Sequence, residues 1–134
     1  MLPLRLDAVR LFLHITAATV WVGGQVVFVG LLPTLRAAGA DVPRAVADRY
    51  NRIAWPAFGI LVLTGIWNMI AESDHNKGAY AATLNLKMAV VVLSGVAAFL
   101  HTRARERTAL AVWGALSGLS ALAAVLLGVI LVEH

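Results

Sequence analysis

Four long apolar stretches constrain this 134-residue chain more than any other feature. They cover residues 11–32, 53–71, 78–100 and 108–132, and all but the third lack any Lys, Arg, Asp or Glu. At 1.5 Å of rise per residue, each is about long enough to cross the ~30 Å hydrocarbon core of a bilayer. Backbone amides in lipid have no water to bond, so an apolar run of this length closes its hydrogen bonds as an α-helix. Apolar residues make up 60% of the chain and charged ones 13%, and the mean hydropathy is +0.82. A soluble domain of this size cannot bury that much apolar surface. The sequence therefore predicts an all-α transmembrane protein with the lipid bilayer as its first partner. It predicts one domain over residues 1–134, with spans at about 8–32, 53–71, 80–101 and 108–132. The polar turns at 72–77 and 102–107 are short, which makes neighbouring helices antiparallel and gives an up-down-up-down four-helix bundle.

Local signals refine the elements. Pro33 is expected to stop the first helix. The second is entered through Asp41-Val42-Pro43, and Val42, Val46, Tyr50 and Ile53 recur at three- and four-residue spacing. That spacing predicts an amphipathic lead-in at the interface ahead of the span, with Pro56 kinking the span itself. The first stretch exceeds the apolar core of a cleaved signal peptide and is read as a retained helix.

The net charge of +4 does not indicate nucleic-acid binding, because the arginines sit in short segments between spans. Arg36, Arg44, Arg49 and Arg52 separate the first two, and Arg103, Arg105 and Arg107 the last two. The opposite side holds Arg5, Arg10 and Lys77, with Lys87 inside the third stretch. Positive charge marks the cytoplasmic side, so both termini are expected outside the cytoplasm. No cysteine is present, which removes disulfides and thiolate metal sites. There is no Ser-His-Asp set, paired carboxylate or phosphate loop, so no catalytic residue is assigned and an enzyme is the less expected class.

Ionisable groups at membrane depth are costly and mark function by default, which singles out His14 and Lys87. His14, Ala18, Trp21, Gln25 and Phe28 fall within a narrow stripe of the first helix. Gly23-Gly24 beside it admits a neighbouring helix or a flat ligand. The structural alternative is a buried histidine that only donates to an adjacent helix. Lys87, Ser94 and His101 are spaced by sevens on the third helix. Lys87 is a candidate to hold an anionic group or to repel a cation, or it snorkels to the boundary. His14, Met69, His75 and Met88 share the outer half by this topology, and imidazole with thioether suits copper. As alternatives, the methionines are packing residues and His75 is a solvated turn residue. Thr64 and Asn68, one turn apart, are expected to hydrogen-bond between helices. Gly114-x-x-x-Gly118 is a helix-packing element, and Trp55, Trp67 and Trp113 are expected at interfaces.

Leu13-His14-x6-Trp21-Val22-Gly23-Gly24, Leu63-Thr64-Gly65-Ile66-Trp67-Asn68 and Leu86-Lys87-Met88 with His101 resemble, in order, the copper resistance protein D superfamily. The resemblance covers roughly residues 10–101. It implies a multi-pass protein of the bacterial inner membrane that handles copper at its outer face, with His14 as the first ligand and a periplasmic copper chaperone as partner. Longer members have about eight spans, so a four-helix core implies a homo-oligomer if it transports. The helix-one histidine and helix-three lysine also resemble the HemJ-type protoporphyrinogen oxidases. That resemblance implies haem b, with His14 as axial ligand and Lys87 on a propionate; Trp21 would line either cofactor site. The segment from Phe28 through Val29–Leu32 to Pro33-Thr34-Leu35-Arg36 departs from the HemJ pattern. A cofactor-free accessory subunit is the third reading.

Overall fold

In the computed structural model, which describes residues 5–71 and 78–133, the described residues are almost entirely helical, with no strand among them. Five α-helices follow one another: α1 (Leu6–Ala18), α2 (Gly24–Ala38), α3 (Val42–Ala71), α4 (Gly78–Arg103) and α5 (Arg107–Val132). A π-helical turn, Thr19–Gly23, joins α1 to α2 into one run. Four helical runs are thus long and apolar enough to cross a membrane: Leu6–Ala38, Val42–Ala71, Gly78–Arg103 and Arg107–Val132. The chain divides into two compact units, Met1–Ala71 and Glu72–His134.

The first run differs from its expected form in two ways. Pro33 lies inside α2, and the helix continues to Ala38. A proline removes one amide donor, which costs the ladder a single bond. Five more residues propagate beyond it, and the stop falls at Gly39. Likewise α3 is continuous through Pro56, and the amphipathic lead-in and the span are one 30-residue helix.

The second departure is the π turn. Thr19 Oγ1 bonds back to the Ile15 carbonyl at 2.8 Å, and Val20 and Val22 are β-branched, both of which crowd an α-helical turn. A π turn interrupts the regular ladder, and side chains supply donors to the carbonyls beside it. Gln25 Nε2 donates to the Trp21 carbonyl at 2.9 Å. The Tyr50 hydroxyl, from α3, lies 2.9 Å from the carbonyls of both Val20 and Trp21. Tyr50 reaches them because Gly24 has no side chain. A Cβ there would overlap the Tyr50 ring, coming within 2.7 Å of its hydroxyl oxygen and 2.8 Å of Cζ.

Below this latch the first unit packs α1 against α3. Residue numbers rise on one helix as they fall on the other, from His14 beside Thr64 to Trp21 beside Phe58 and Trp55, so the two run antiparallel. Ala17, Trp21, Ala54, Ala57 and Leu61 are buried between them. Trp55 joins an aromatic cluster. Its ring centroid is 5.2 Å from that of Trp21 and 5.9 Å from that of Phe58, which itself lies 4.5 Å from Trp21.

The second unit is a helical hairpin closed by Ala104–Glu106. Gly78 opens α4 at φ +56°, a left-handed conformation that side chains disfavour. Two serines stitch α4 to α5 reciprocally: Ser94 Oγ donates to the Ser117 carbonyl and Ser117 Oγ to the Ser94 carbonyl, both at 3.0 Å. Around them Gly95, Ala97, Ala121 and Ala124 are buried, and small residues of this kind let two backbones approach closely. At the hairpin end, His101 Nδ1–H donates to the Leu110 carbonyl at 2.7 Å. Its ring lies over Gly114, 3.1 Å from where a Cβ would stand. Gly114 is thus a packing residue, as its spacing predicts, and the group packed on it is an imidazole.

Three outcomes are expected. Gly24→Ala should displace Tyr50 and lower the thermal stability of the detergent-purified protein, by about 1–3 kcal/mol as overpacking does. Tyr50→Phe should cost less, since the ring stays and only the hydroxyl goes. Ser94→Ala combined with Ser117→Ala should cost about 1 kcal/mol, given ~0.6 kcal/mol for an average interhelical bond between apolar helices. Denaturant titration of purified protein measures all three.

Candidate functional site

His14 is held from α3. Thr64 Oγ1 sits 2.7 Å from the Ile60 carbonyl and 3.1 Å from that of Leu61, one turn back on its own helix. Its single proton goes to that backbone, so the hydroxyl oxygen accepts from His14, whose Nδ1 lies 2.8 Å away. Nδ1 is then the donor, and in the neutral form of the ring the lone pair would reside on Nε2. A neutral imidazole oriented by a bond on one nitrogen is the form that ligates a metal ion through the other. Thr64 is 4% exposed and Gly65 beside it is also buried, so this bond is shielded from exchange with water.

Arg10 extends the site in a way that sequence reading missed. Its position in the sequence marks a topological charge, yet it is 4% exposed. Asp7 Oδ1, on an exposed side chain, lies 3.5 Å from Nη1. Arg10 stands one turn before His14, about 6 Å along the axis. Across on α3, Asn68 stands one turn beyond Thr64, which puts it level with Arg10 in the antiparallel register. The expected interhelical bond forms at Thr64 but not through the Asn68 carbonyl oxygen: Oδ1 is buried without a hydrogen-bond partner among the described residues. The signal for Arg10 was present in its i, i+4 spacing to His14. Tyr50 carried no signal, because only the folded pairing of α3 with the π turn gives its hydroxyl a task.

Trp21 is buried at 3% exposure, seven residues after His14, about 10 Å along the axis. With Trp55 and Phe58 it forms an aromatic floor for the unit. The Trp21 carbonyl is engaged by Gln25 and Tyr50, as above, which fixes this part of the backbone. Met69 is half-buried on α3, five residues past Thr64 and so about 140° around the helix from it. The residue that continues the His14-facing side is Asn68.

Lys87 and Met88 belong to the second unit. Lys87 is half-buried, and its Nζ lies 3.3 Å from where a Gly128 Cβ would stand. The absent side chain on α5 is the space into which the ammonium folds. Among the described residues no carboxylate lies within ion-pair distance of it. Lys87, Ser94 and His101 share one face, as their spacing predicts, and all three meet α5. Met88 is half-buried. His75, one of the four expected copper ligands, lies outside the described residues. No group of three His, Asp or Glu suited to a metal ion forms among the described residues.

No protein-family model, curated protein or solved structure matches this chain.

If Thr64 fixes the ring as argued, nitrogen-resolved NMR of His14 should show the Nδ1–H tautomer in the metal-free protein. Thr64→Val, which keeps the shape and removes the acceptor, should convert that signal to a mixture of tautomers. An unchanged spectrum would mean that another group orients the imidazole.

Proposed function

We propose that this chain is a multi-pass inner-membrane protein of the copper resistance D type that binds or moves copper, with His14 Nε2 as its first ligand. In this reading the four apolar runs cross the bilayer up and down as one bundle. The arginine-rich segments 36–52 and 103–107 face the cytoplasm, and both termini lie outside. His14 then lies toward the extracytoplasmic boundary, where a periplasmic copper chaperone would deliver or collect the ion. Thioether and imidazole groups from Met69, His75 and Met88 would complete a soft ligand set. The observation that carries this reading is the 2.8 Å bond from His14 Nδ1 to Thr64, a buried second partner of the kind that presents Nε2 to a metal.

One observation favours a second reading. The guanidinium of Arg10, buried one turn from His14 with the Asp7 carboxylate 3.5 Å from its Nη1, is a cation of the kind that also takes a second anionic group. A haem b, whose iron would take His14 and whose propionate would meet a cation, answers both residues. The aromatic cluster of Trp21, Trp55 and Phe58 is in keeping with that, as is the ammonium of Lys87, which has no carboxylate within ion-pair distance among the described residues. This would make the protein a HemJ-like membrane oxidoreductase.

One preparation separates the two. Purified protein reconstituted with Cu(I) should retain copper by elemental analysis, and His14→Ala should lose it. Thr64→Val should weaken retention about 10–100-fold, the usual effect of removing a partner behind a metal-bound histidine. A Soret band lost in His14→Ala, with copper absent from both proteins, would transfer the assignment to haem. Neither copper nor haem in the wild type would leave a cofactor-free accessory subunit.

A further inference from the structure

The N-terminal part of α3 carries a groove that plays no part in the chemistry of His14. Val42, Ala45, Val46, Arg49, Tyr50 and Ile53 line it, a shallow and widely open depression of about 490 Å³. Their offsets of 3, 4, 7, 8 and 11 residues trace one stripe, about 16 Å long. The stripe is open: Val46 is 36% exposed and Ile53 57%. Tyr50 gives it a firm wall, since its ring lies over Gly24 and its hydroxyl is already committed to the Val20 and Trp21 carbonyls. A ligand in the groove therefore meets an aromatic face and aliphatic side chains, with one charged group, Arg49, at the edge.

Arg49 is not isolated. Arg52 stands nearly one turn further on and is also exposed. From residue 36 to residue 52 the chain carries four arginines (Arg36, Arg44, Arg49, Arg52) against two aspartates (Asp41, Asp48), an excess of two positive charges. The apolar stripe calls for hydrocarbon, and the arginines beside it call for an anion that guanidinium forks can grip. A molecule carrying both within this length is a phospholipid with a net negative headgroup. We propose that this groove binds an anionic phospholipid, one acyl chain starting against Val46, Tyr50 and Ile53 and the phosphate held by Arg49 and Arg52. The excess charge selects it over a zwitterionic lipid, whose own cation would face these arginines. The inference does not depend on what His14 binds.

The test uses the full chain in mixed bilayers of phosphatidylcholine with phosphatidylglycerol, followed by native mass spectrometry of the protein released into mild detergent. Wild type should retain phosphatidylglycerol over phosphatidylcholine by at least about fivefold, the factor one arginine contributes near an anionic lipid. Arg49→Gln with Arg52→Gln should bring the ratio to near one. Ala45→Trp, which fills the groove and keeps both arginines, should also remove most retention, and inorganic phosphate should not compete. These positions are exposed, and size-exclusion profiles of the variants check that they fold. Equal retention of both lipids by wild type, or an undiminished preference in the double variant, overturns the proposal. So does full retention by Ala45→Trp, because the arginines would then be acting without the groove. A lipid-free dimer that Ala45→Trp dissociates would assign the groove to a second copy of the chain.

Discussion

Polar groups set into apolar helices must find their partners on the helix itself or on the one packed against it. Both units of this protein are organised around that constraint. In the first, Thr64 takes its own backbone as acceptor and so becomes the acceptor for His14. Tyr50 and Gln25 supply donors where the π turn disturbs the ladder. In the second, Ser94 and Ser117 exchange bonds with each other's carbonyls, and His101 caps the carbonyl of Leu110. Each of these bonds also fixes which residues of two antiparallel helices stand level. The same few interactions therefore satisfy the polar groups and specify the pairing.

The glycines act at the points where this stitching requires close approach. Gly24 admits the Tyr50 ring, Gly114 admits the His101 ring, and Gly128 leaves room for the Lys87 ammonium. In each case a long polar side chain on one helix lies in the space a neighbouring Cβ would occupy. Such pairs bring polar chemistry to the middle of helices that otherwise offer only packing. They also explain why the candidate site is sparse, with one oriented imidazole, one buried guanidinium and one amide whose carbonyl oxygen has no donor among the described residues.

Much of this was legible in the sequence. Uninterrupted apolar runs of about twenty residues announced the helices, and the seven-residue spacing of Lys87, Ser94 and His101 placed them on one face. His14 stood out as an imidazole set inside an apolar run. Other features were not legible. Pro33 reads as a stop, but losing one amide donor does not outweigh the helical preference of the residues after it. The packing of Trp55 on Trp21 has no local signal, because the two lie thirty-four residues apart in the chain. Arg10 reads as a flanking charge, since burial depends on what packs against a residue and not on its distance from a helix end.

By itself the sequence determined that this chain is helical and divided into four runs of membrane-spanning length. Hydropathy and backbone hydrogen bonding are properties of local segments, so they can be read residue by residue. Only the tertiary structure decided that Thr64 fixes the tautomer of His14, that Arg10 is buried beside it, and that Tyr50 closes a π turn from another helix. Those facts depend on register between helices. Register comes from which side chains fit opposite one another, and periodicity along a single helix cannot encode that.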